Sequence, residues 1–376
     1  MTGQMGRRIS RINVVANRDL LNRSPLEILS ENGIEAMAHI IGRSALLSER
    51  RGVMSALLGP STRIASNSVD VITFLVESSL EEAALQLVAS KFNLNIPGTG
   101  TVYSETVNLQ RDCGGFKVCN SLPQQKPKVR MQNQLTGICC IVLRGEGDSV
   151  ARVALETGSC VPTVTYGLGA GLRDRLGLWR ITIPAEKEIV TMVVNSYEAE
   201  DIMNIIVDTA SLDQPGRGII YHFPVHSGLI NMKVSKESRS QAASLEQMVL
   251  ALDELKGGTE WRRRRLSSSY RETRRKHLTD LTELALYCDE GNGDEYVKVA
   301  LAAGASGATL NEYKYVHHED VKITPAREKC SMITTPRQLR DILTALDKAG
   351  VFNPDNHNDV ITRSITRAYS YSALQD

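Results

Sequence analysis

The chain has 376 residues, a formal net charge of +1 and 42% hydrophobic residues, which is typical of a globular protein with two to four domains. It contains no run of the ~18 apolar residues that a membrane span needs, and its first residues, MTGQMGRRIS, lack the apolar core of a signal peptide, so we expect a cytoplasmic protein. Seven scattered cysteines favour reduced thiols over a disulfide framework.

The chain contains an internal repeat. A shift of 118 residues lays 73–103 on 191–221 without a gap, and 9 of those 31 positions are identical. The segment PGTGTVY, from Pro97, thereby matches PGRGIIY, from Pro215. A weaker third copy follows, because VALETGSCVPT and PAEKE return as VALAAGASGAT and PAREK. The repeats predict three units, 9–109, 134–232 and 279–376.

The first unit opens with an apolar strand, RINVVAN, and a short helix that ends at Gly33. A second strand, IEAMAHII, precedes a long loop, 43–68, and a third strand, VDVITFLV. A helix with apolar spacing follows, and GTVYSETVNL is the last strand. This order of elements, βαββαβ, is the ferredoxin-like arrangement of an α+β fold.

The second and third units predict the same order. Their first strands are GICCIVL and LTELALYC, their second strands PTVTY and ATLNEYKYV, and their third strands KEIVTMVV and KCSMIT. The last strands are GIIYHFPV and DVITRSITRAYSYSA. The second unit has a long loop at 168–186, and Gly167 stands nine residues after Gly158, as Gly42 stands nine after Gly33.

Two connectors separate the units. Residues 110–133 are polar and contain two prolines, which indicates an extended segment. Residues 233–278 contain a predicted helix, SLEQMVLALDELK, and then a basic segment, 262–276, with eight Arg or Lys and one Glu. The basic segment is a candidate for a solvated linker or for contact with an acidic partner or an anionic membrane surface. Trp261 precedes it and Tyr270 lies within it, but no recognised nucleic-acid module accompanies them.

Three such units, each with a glycine-rich turn before its last strand, resemble the PII signalling proteins and their PII-like relatives. The resemblance is strongest from Gly137 to Val225, moderate in the first unit and weak in the third. PII proteins are homotrimers, so the resemblance implies a single-chain pseudo-trimer whose fused copies are free to diverge. It also implies that the protein is a regulator. The sequence shows no Ser/His/Asp or Cys/His arrangement with a local signature and no Walker lysine motif, so we expect no enzymatic activity.

The resemblance further implies a ligand in the clefts between units. The effectors it suggests are AMP, ADP, ATP, a cyclic nucleotide or bicarbonate, and the partner is a transporter or an enzyme of nitrogen or inorganic-carbon metabolism, contacted through loops 43–68 and 168–186. The implied site residues are those of the two glycine-rich turns and the bases of the two long loops: Gly216, Arg217, Gly218, Gly98, Thr99, Gly100, Gly167 and Gly42.

Physical chemistry supports an anion at such a turn. Glycines let several backbone N–H groups converge on one phosphate, and Arg217, Arg173, Arg175 and Lys187 could add charge-assisted hydrogen bonds. A Pro-Gly turn can equally do no more than reverse the chain. The third unit has FNPDNHND in place of the turn, so we expect at most two competent sites.

Other features leave alternatives open. The basic pair that follows the last strand in PII proteins is absent from the second unit, and Arg363 and Arg367 are partial substitutes. Cys113 with Cys119, His222 with His226, and the run 317–320 are weak candidates for metal ligands, so no metal site is predicted. The alternative function is a structural or interaction subunit that keeps the fold without the ligand.

Overall fold

The computed structural model describes residues 6–49, 62–123, 129–171, 185–230, 277–316 and 324–371. Within these ranges the chain forms a mixed α/β fold with a large sheet and few helices, which confirms the predicted mixture of helices and strands.

The first unit contains four long strands and two helices. They are β1 (Arg7–Asn17), α1 (Pro25–Ser30), β2 (Ala36–Glu49), β3 (Thr62–Val76), α2 (Glu81–Lys91) and β4 (Gly100–Arg111). A short strand, β5 (Val118–Cys119), follows in the first connector.

The second and third units repeat this order. The second contains β6 (Leu135–Leu143), α3 (Gly147–Thr157), β7 (Thr163–Gly171), β8 (Ala185–Asn195), α4 (Ala199–Thr209), β9 (Gly218–Val225) and a short β10 (Ser227–Leu229). The third contains β11 (Leu281–Asp289), α5 (Gly293–Ala302), β12 (Gly307–Val316), β13 (Ala326–Thr334), α6 (Pro336–Lys348), β14 (Asp359–Ile365) and a short β15 (Arg367–Ser370).

Strand pairing is the same in all three units. The first strand lies between the last and the third, and the second strand is outermost: β4-β1-β3-β2, β9-β6-β8-β7 and β14-β11-β13-β12. Every pairing within these three sets is antiparallel. Gly33 and Gly158 follow the first helices with positive φ, as predicted for helix ends.

The units join edge to edge. The second strands of all three meet, since β2 pairs with β7, β7 with β12 and β12 with β2. The chain that ends each unit pairs with another unit's last strand. Thus β10 pairs with β4, β15 pairs with β9, and the end of β4 pairs with β14. These contacts link the first unit to the second, the second to the third, and the third to the first.

Each unit buries its own apolar core between its helices and one face of its sheet. Ile12, Phe74 and Leu85 represent this core in the first unit, Ile138 and Ile206 in the second. Strand residues alternate, so the neighbours of Ile12, Arg11 and Asn13, lie on the opposite sheet face, where the three units meet. Burial of each helical face supplies the main stabilisation of each unit.

Several boundaries differ from the predicted ones. The loop expected at 43–68 is largely strand, because β2 and β3 keep pairing as far as Glu49 with Thr62. The loop expected at 168–186 is shorter for the same reason, since β7 reaches Gly171 and β8 begins at Ala185. Residues 50–61 and 172–184 lie outside the described ranges.

Two further segments depart from expectation. The last strand of the third unit divides at Thr366, because β14 pairs with β11 and β4 while β15 pairs with β9. The first connector is partly structured, because β5 pairs in parallel with β3 and the Phe116 ring packs edge-on against Tyr287 at 4.8 Å. A polar composition did not reveal these long-range contacts.

Candidate functional site

The glycine-rich turn of the second unit lies beside a segment of the third. Gly216 has φ 78° and Gly218 has φ 149°. The Ser370 hydroxyl, in β15, donates to the Gly218 carbonyl at 3.0 Å. A Cβ on Gly218 would stand 2.0 Å from the Ile141 carbonyl oxygen of β6. The glycine at 218 is therefore required by strand packing alone, independently of any ligand.

Two of the predicted cations lie near one carboxylate in this cleft. Arg217 Nη1 is 2.5 Å from Glu146 Oε1, at the start of α3. Lys187 is half-buried, and burial lowers the pKa of its amine while the charge of Glu146 opposes that shift. Glu146 thus holds Arg217 and competes with an incoming anion. Arg173 and Arg175 lie outside the described residues.

The turn of the first unit has the same geometry and is closed by its own side chains. Gly98 has φ 92°, and a Cβ on Gly100 would stand 2.0 Å from the Val15 carbonyl oxygen. The Thr99 hydroxyl is buried and lies 2.7 Å from the Ile96 carbonyl. The Asn17 N–H donates to the Thr99 carbonyl at 2.8 Å. Thr99 therefore braces the turn from inside.

In the third unit, the chain that follows β4 lies against the corresponding turn. The Cys113 N–H donates to Asp359 Oδ1 at 2.7 Å, and Arg327 Nη2 donates to the His357 carbonyl at 2.7 Å. Burial raises the pKa of Asp359 to about 7 despite the hydrogen bond from Cys113. Protein groups from the first connector thus contact this turn directly.

The two glycines expected at the loop bases lie where second strands meet. A Cβ on Gly42 would stand 3.0 Å from the Val164 carbonyl oxygen of β7. A Cβ on Gly167 would stand 2.6 Å from the Leu310 carbonyl oxygen of β12. Both glycines allow close approach of a neighbouring unit.

A buried acidic residue of β8, Glu188, was not predicted as a site residue, and its carboxylate lies at the start of α3. Glu188 Oε2 accepts hydrogen bonds from the N–H groups of Gly145 and Gly147 at 3.0 and 2.7 Å. Arg43, from the first unit, contacts Glu188 and Asp148. Glu188 therefore fills the position where a helix N-terminus would otherwise attract an anion.

The sequence feature that could have identified Glu188 is an acidic residue at the same position of the third strand in every unit. The registers of β3, β8 and β13 put Asp70, Glu188 and Glu328 three residues before Thr73, Thr191 and Ser331, which occupy equivalent positions. Glu328 likewise accepts from the Gly293 N–H at 2.7 Å. Aligning the third strands of the repeats would have revealed this shared acidic position.

A second missed cluster lies at the junction of all three units. Arg11 Nη2 and Arg363 Nη1 contact Glu105 Oε2 at 3.0 and 2.6 Å, and Arg363 Nε also contacts Glu283. The Arg363 guanidinium carbon lies 3.8 Å from the centroid of the Phe223 ring. Arg363 therefore joins the third unit to both others. Arg363 lies within β14 and is engaged in these ion pairs. It therefore does not act as the partial substitute for the basic pair of PII proteins that the sequence suggested.

Ion pairing keeps this cluster charged. Burial opposes ionisation of Glu105 and Glu283, but the neighbouring Arg363 and Arg11 lower the pKa of both carboxyl groups, that of Glu283 to about 2. The signal in the sequence was a charged residue at inward-facing positions of otherwise apolar strands, as in RISRINVV. The repeats align Arg11, Gly137 and Glu283, so the cluster is asymmetric.

The remaining candidates do not come together. His226 Nδ1 contacts Glu81 Oε1 at 2.5 Å. His222 is buried near Arg367, and its burial, together with the smaller effect of the positive charge of Arg367, lowers the pKa of His222 to about 4. Cys113 and Cys119 are free thiols whose sulfurs approach different carbonyls. No group of three or more metal-ligating side chains occurs in the described part of the chain. Residues 317–320 and 262–276 lie outside it.

Comparison with known proteins identifies no family. No family model matches the chain, and no curated protein matches it. Among solved structures, aspartate kinase from Synechocystis is similar over 66% of this chain at 8% identity and a TM-score of 0.19. The match spans 48% of the kinase chain, less than half its length. A similarity at this TM-score carries no argument about fold or function. No helix of the described residues is long and apolar enough to cross a membrane.

Proposed function

We propose that the protein is a non-enzymatic, PII-like regulatory protein, built as a single-chain pseudo-trimer of three ferredoxin-like units. It senses an adenine nucleotide or a small anion in clefts between units. It transmits the bound state through segments 43–68 and 168–186 to a transporter or an enzyme of nitrogen or inorganic-carbon metabolism. The basic segment 262–276 is proposed to assist by contact with an anionic membrane surface.

The observation that carries the proposal is the exchange of segments between units. Because β15 pairs with β9, the turn at Gly216 and Gly218 has one wall from its own unit and one from the third. A ligand in that cleft would contact two units at once, and its binding would change how they fit together.

The charges of the second unit's cleft favour an anion. Arg217 pairs with the Glu146 carboxylate, and the charge of Glu146 also acts on Lys187, so these three residues together carry one excess positive charge. A phosphate would displace Glu146 from Arg217. Removal of that carboxylate should therefore strengthen anion binding.

Calorimetric titration with AMP, ADP, ATP, cyclic AMP and bicarbonate tests the proposal. We expect heat with at least one effector, binding weakened roughly 10–100-fold in Arg217→Glu, and tighter binding in Glu146→Gln. Arg152→Glu makes the same charge change on the exposed side of α3 and should leave affinity unchanged. No heat with any effector would refute ligand sensing, and equal affinities in Arg217→Glu and the wild type would refute the placement.

A second candidate function has its own support. Strand packing accounts for Gly100 and Gly218 without a ligand, and Glu146 already satisfies Arg217. These contacts fit a structural or interaction subunit that retains the fold without an effector. A partner that co-purifies at constant stoichiometry with and without added nucleotide would favour this candidate.

A further inference from the structure

A cavity of about 150 Å³ lies where the three units meet, and residues of all three line it. On the same measure of cavity volume, one water molecule needs about 10–15 Å³. The cavity therefore has room for a small ion with accompanying water. Its walls come from the inward faces of the sheets and not from the clefts beside the glycine-rich turns. We call it the axial cavity.

The axial cavity is lined by more positive than negative charge. The cations in its described lining are Arg11, Lys329 and Arg363, and the carboxylates are Glu105 and Glu283. Both carboxyl groups keep a lowered pKa despite burial, so both are ionised at neutral pH. The described lining therefore has a net charge of +1.

The hydrogen bonds inside the cluster leave donors unused. Arg363 satisfies Glu105 and Glu283, and Asn13 Nδ2 adds a bond to Glu105 at 2.7 Å. By contrast, Arg11 Nε and Ser331 Oγ are buried without a hydrogen-bond partner among the described residues. Lys329 Nζ is 3.8 Å from Glu283 Oε1, longer than a good hydrogen bond.

The Lys329 side chain is 24% exposed, so its unmatched charge costs less free energy than a fully buried one, whereas a buried N–H or O–H donor without an acceptor carries the full desolvation cost. A monovalent anion would reduce both costs, because it balances the excess charge and accepts from the free donors. A cation or a neutral apolar ligand would do neither. Thr191 and Thr309 also line the cavity, whereas the Thr73 hydroxyl already donates to Asn13 Oδ1 at 3.3 Å.

We propose that the axial cavity binds one small monovalent anion, such as a halide, nitrate, formate or bicarbonate, held by Arg11, Lys329 and Ser331. The site stabilises the junction of the three units. It does not rest on the effector-binding clefts, because none of the glycine-rich turn residues lines it.

The test uses the full chain at constant ionic strength, with chloride, bromide, nitrate, formate or bicarbonate replacing gluconate as the reference anion. We expect the melting temperature to rise by about 2 °C for each tenfold increase in one of these anions above its dissociation constant. Lys329→Met removes the excess charge and should abolish the rise. Lys298→Met, on the exposed side of α5, should retain it.

Crystals of the wild-type protein soaked in bromide provide a second measurement that does not depend on folding of the variant. An anomalous peak between Arg11, Lys329 and Ser331, together with the thermal response, supports the proposal. Bromide confined to the surface, or a melting temperature that responds equally in Lys329→Met and the wild type, overturns it. Arg217→Glu should leave the thermal response to halide unchanged, which separates this site from the cleft.

Discussion

The glycines of the two turns are expected both where strands pack closely and where a turn binds an anion. Gly100 and Gly218 each stand against a carbonyl oxygen of the first strand of their own unit, Val15 or Ile141. A side chain there would collide with backbone, which cannot move without disturbing the sheet. The repetition of glycine in the sequence therefore has a packing cause, and among the described residues of the predicted site Arg217 and Lys187 are the ones that bear directly on an anion.

The first prediction concerns this packing. Gly218→Ala should lower the free energy of unfolding by roughly 3–5 kcal/mol, because its methyl group meets the Ile141 carbonyl. Gly145→Ala is the matched control. Gly145 also has positive φ but no atom within 4 Å of its added Cβ, so its cost should be about 1–2 kcal/mol. Urea denaturation measures both, and equal losses would contradict the packing explanation.

The second prediction concerns Arg363, which neutralises two buried carboxylates. Arg363→Met leaves Glu105 with Arg11 and Glu283 with the more distant Lys329, and should cost about 3–5 kcal/mol of unfolding free energy. Arg337→Met removes an exposed arginine from a pair on α6 and should cost less than about 0.5 kcal/mol. Similar losses in the two variants would show that the cluster of Arg11, Glu105, Glu283 and Arg363 contributes no more than a surface pair.

The third prediction concerns the pH dependence that Asp359 confers. Burial raises the pKa of Asp359 to about 7, so the folded state holds a proton that the unfolded state releases near pH 4. The contribution of Asp359 to stability therefore falls as pH rises from about 4 to 7 and is constant above that range. Asp359→Asn should remove this decrease.

The measurement is the difference in unfolding free energy between Asp359→Asn and the wild type at pH 4.5, 5.5, 6.5 and 7.5. We expect the difference to shift in favour of the variant by about 2–4 kcal/mol across this range. Asp355→Asn, at an exposed position in the same turn, should give a flat difference. A flat difference for Asp359→Asn as well would show that this carboxyl is ionised throughout.

At the level of elements, the short strands that follow the units connect them. Ala368 in β15 pairs with Tyr221 of β9 on one side and exchanges backbone hydrogen bonds with Leu278 on the other. Such edge pairing satisfies the backbone groups of β9 that a separate second unit would expose.

The fourth prediction tests this pairing. Ala368→Pro removes the N–H that donates to the Leu278 carbonyl and disturbs β15, so residues 219–222 of β9 should lose protection from hydrogen exchange. Tyr371→Pro lies just beyond the strand and should leave that protection intact. Unchanged protection in Ala368→Pro would mean that β15 does not cover β9.

The element order was predictable from the sequence because it depends on local periodicity and on repetition. The spacing of apolar residues, together with the repetition of PGTGTVY as PGRGIIY, predicts the βαββαβ order. The extent of β2 and β3 was not predictable, because polar residues such as Ser66 and Asn67 pair there through their backbones. The covering of the third turn by residues near Cys113 depends on contacts more than two hundred residues apart, which no local pattern encodes.

At the scale of the whole molecule, three fused units can differ where identical subunits cannot. Equivalent positions hold Arg11, Gly137 and Glu283 on the first strands, and Glu105, Phe223 and Arg363 on the last. A Cβ on Gly137 would stand 2.0 Å from the Phe223 ring, so these two residues are matched. The asymmetric set fixes which unit faces which. Its own charges cancel, so the excess positive charge of the axial cavity is that of Lys329.

The pairings of strands from different units should hold the three units together independently of the covalent connectors. A protease site inserted between Gly257 and Gly258, in the connector before the third unit, makes this testable by native mass spectrometry after cleavage. We expect one complex with the summed mass of the two fragments, held by the pairing of β15 with β9, β14 with β4 and β12 with β2 and β7. Separate fragments under native conditions would contradict it.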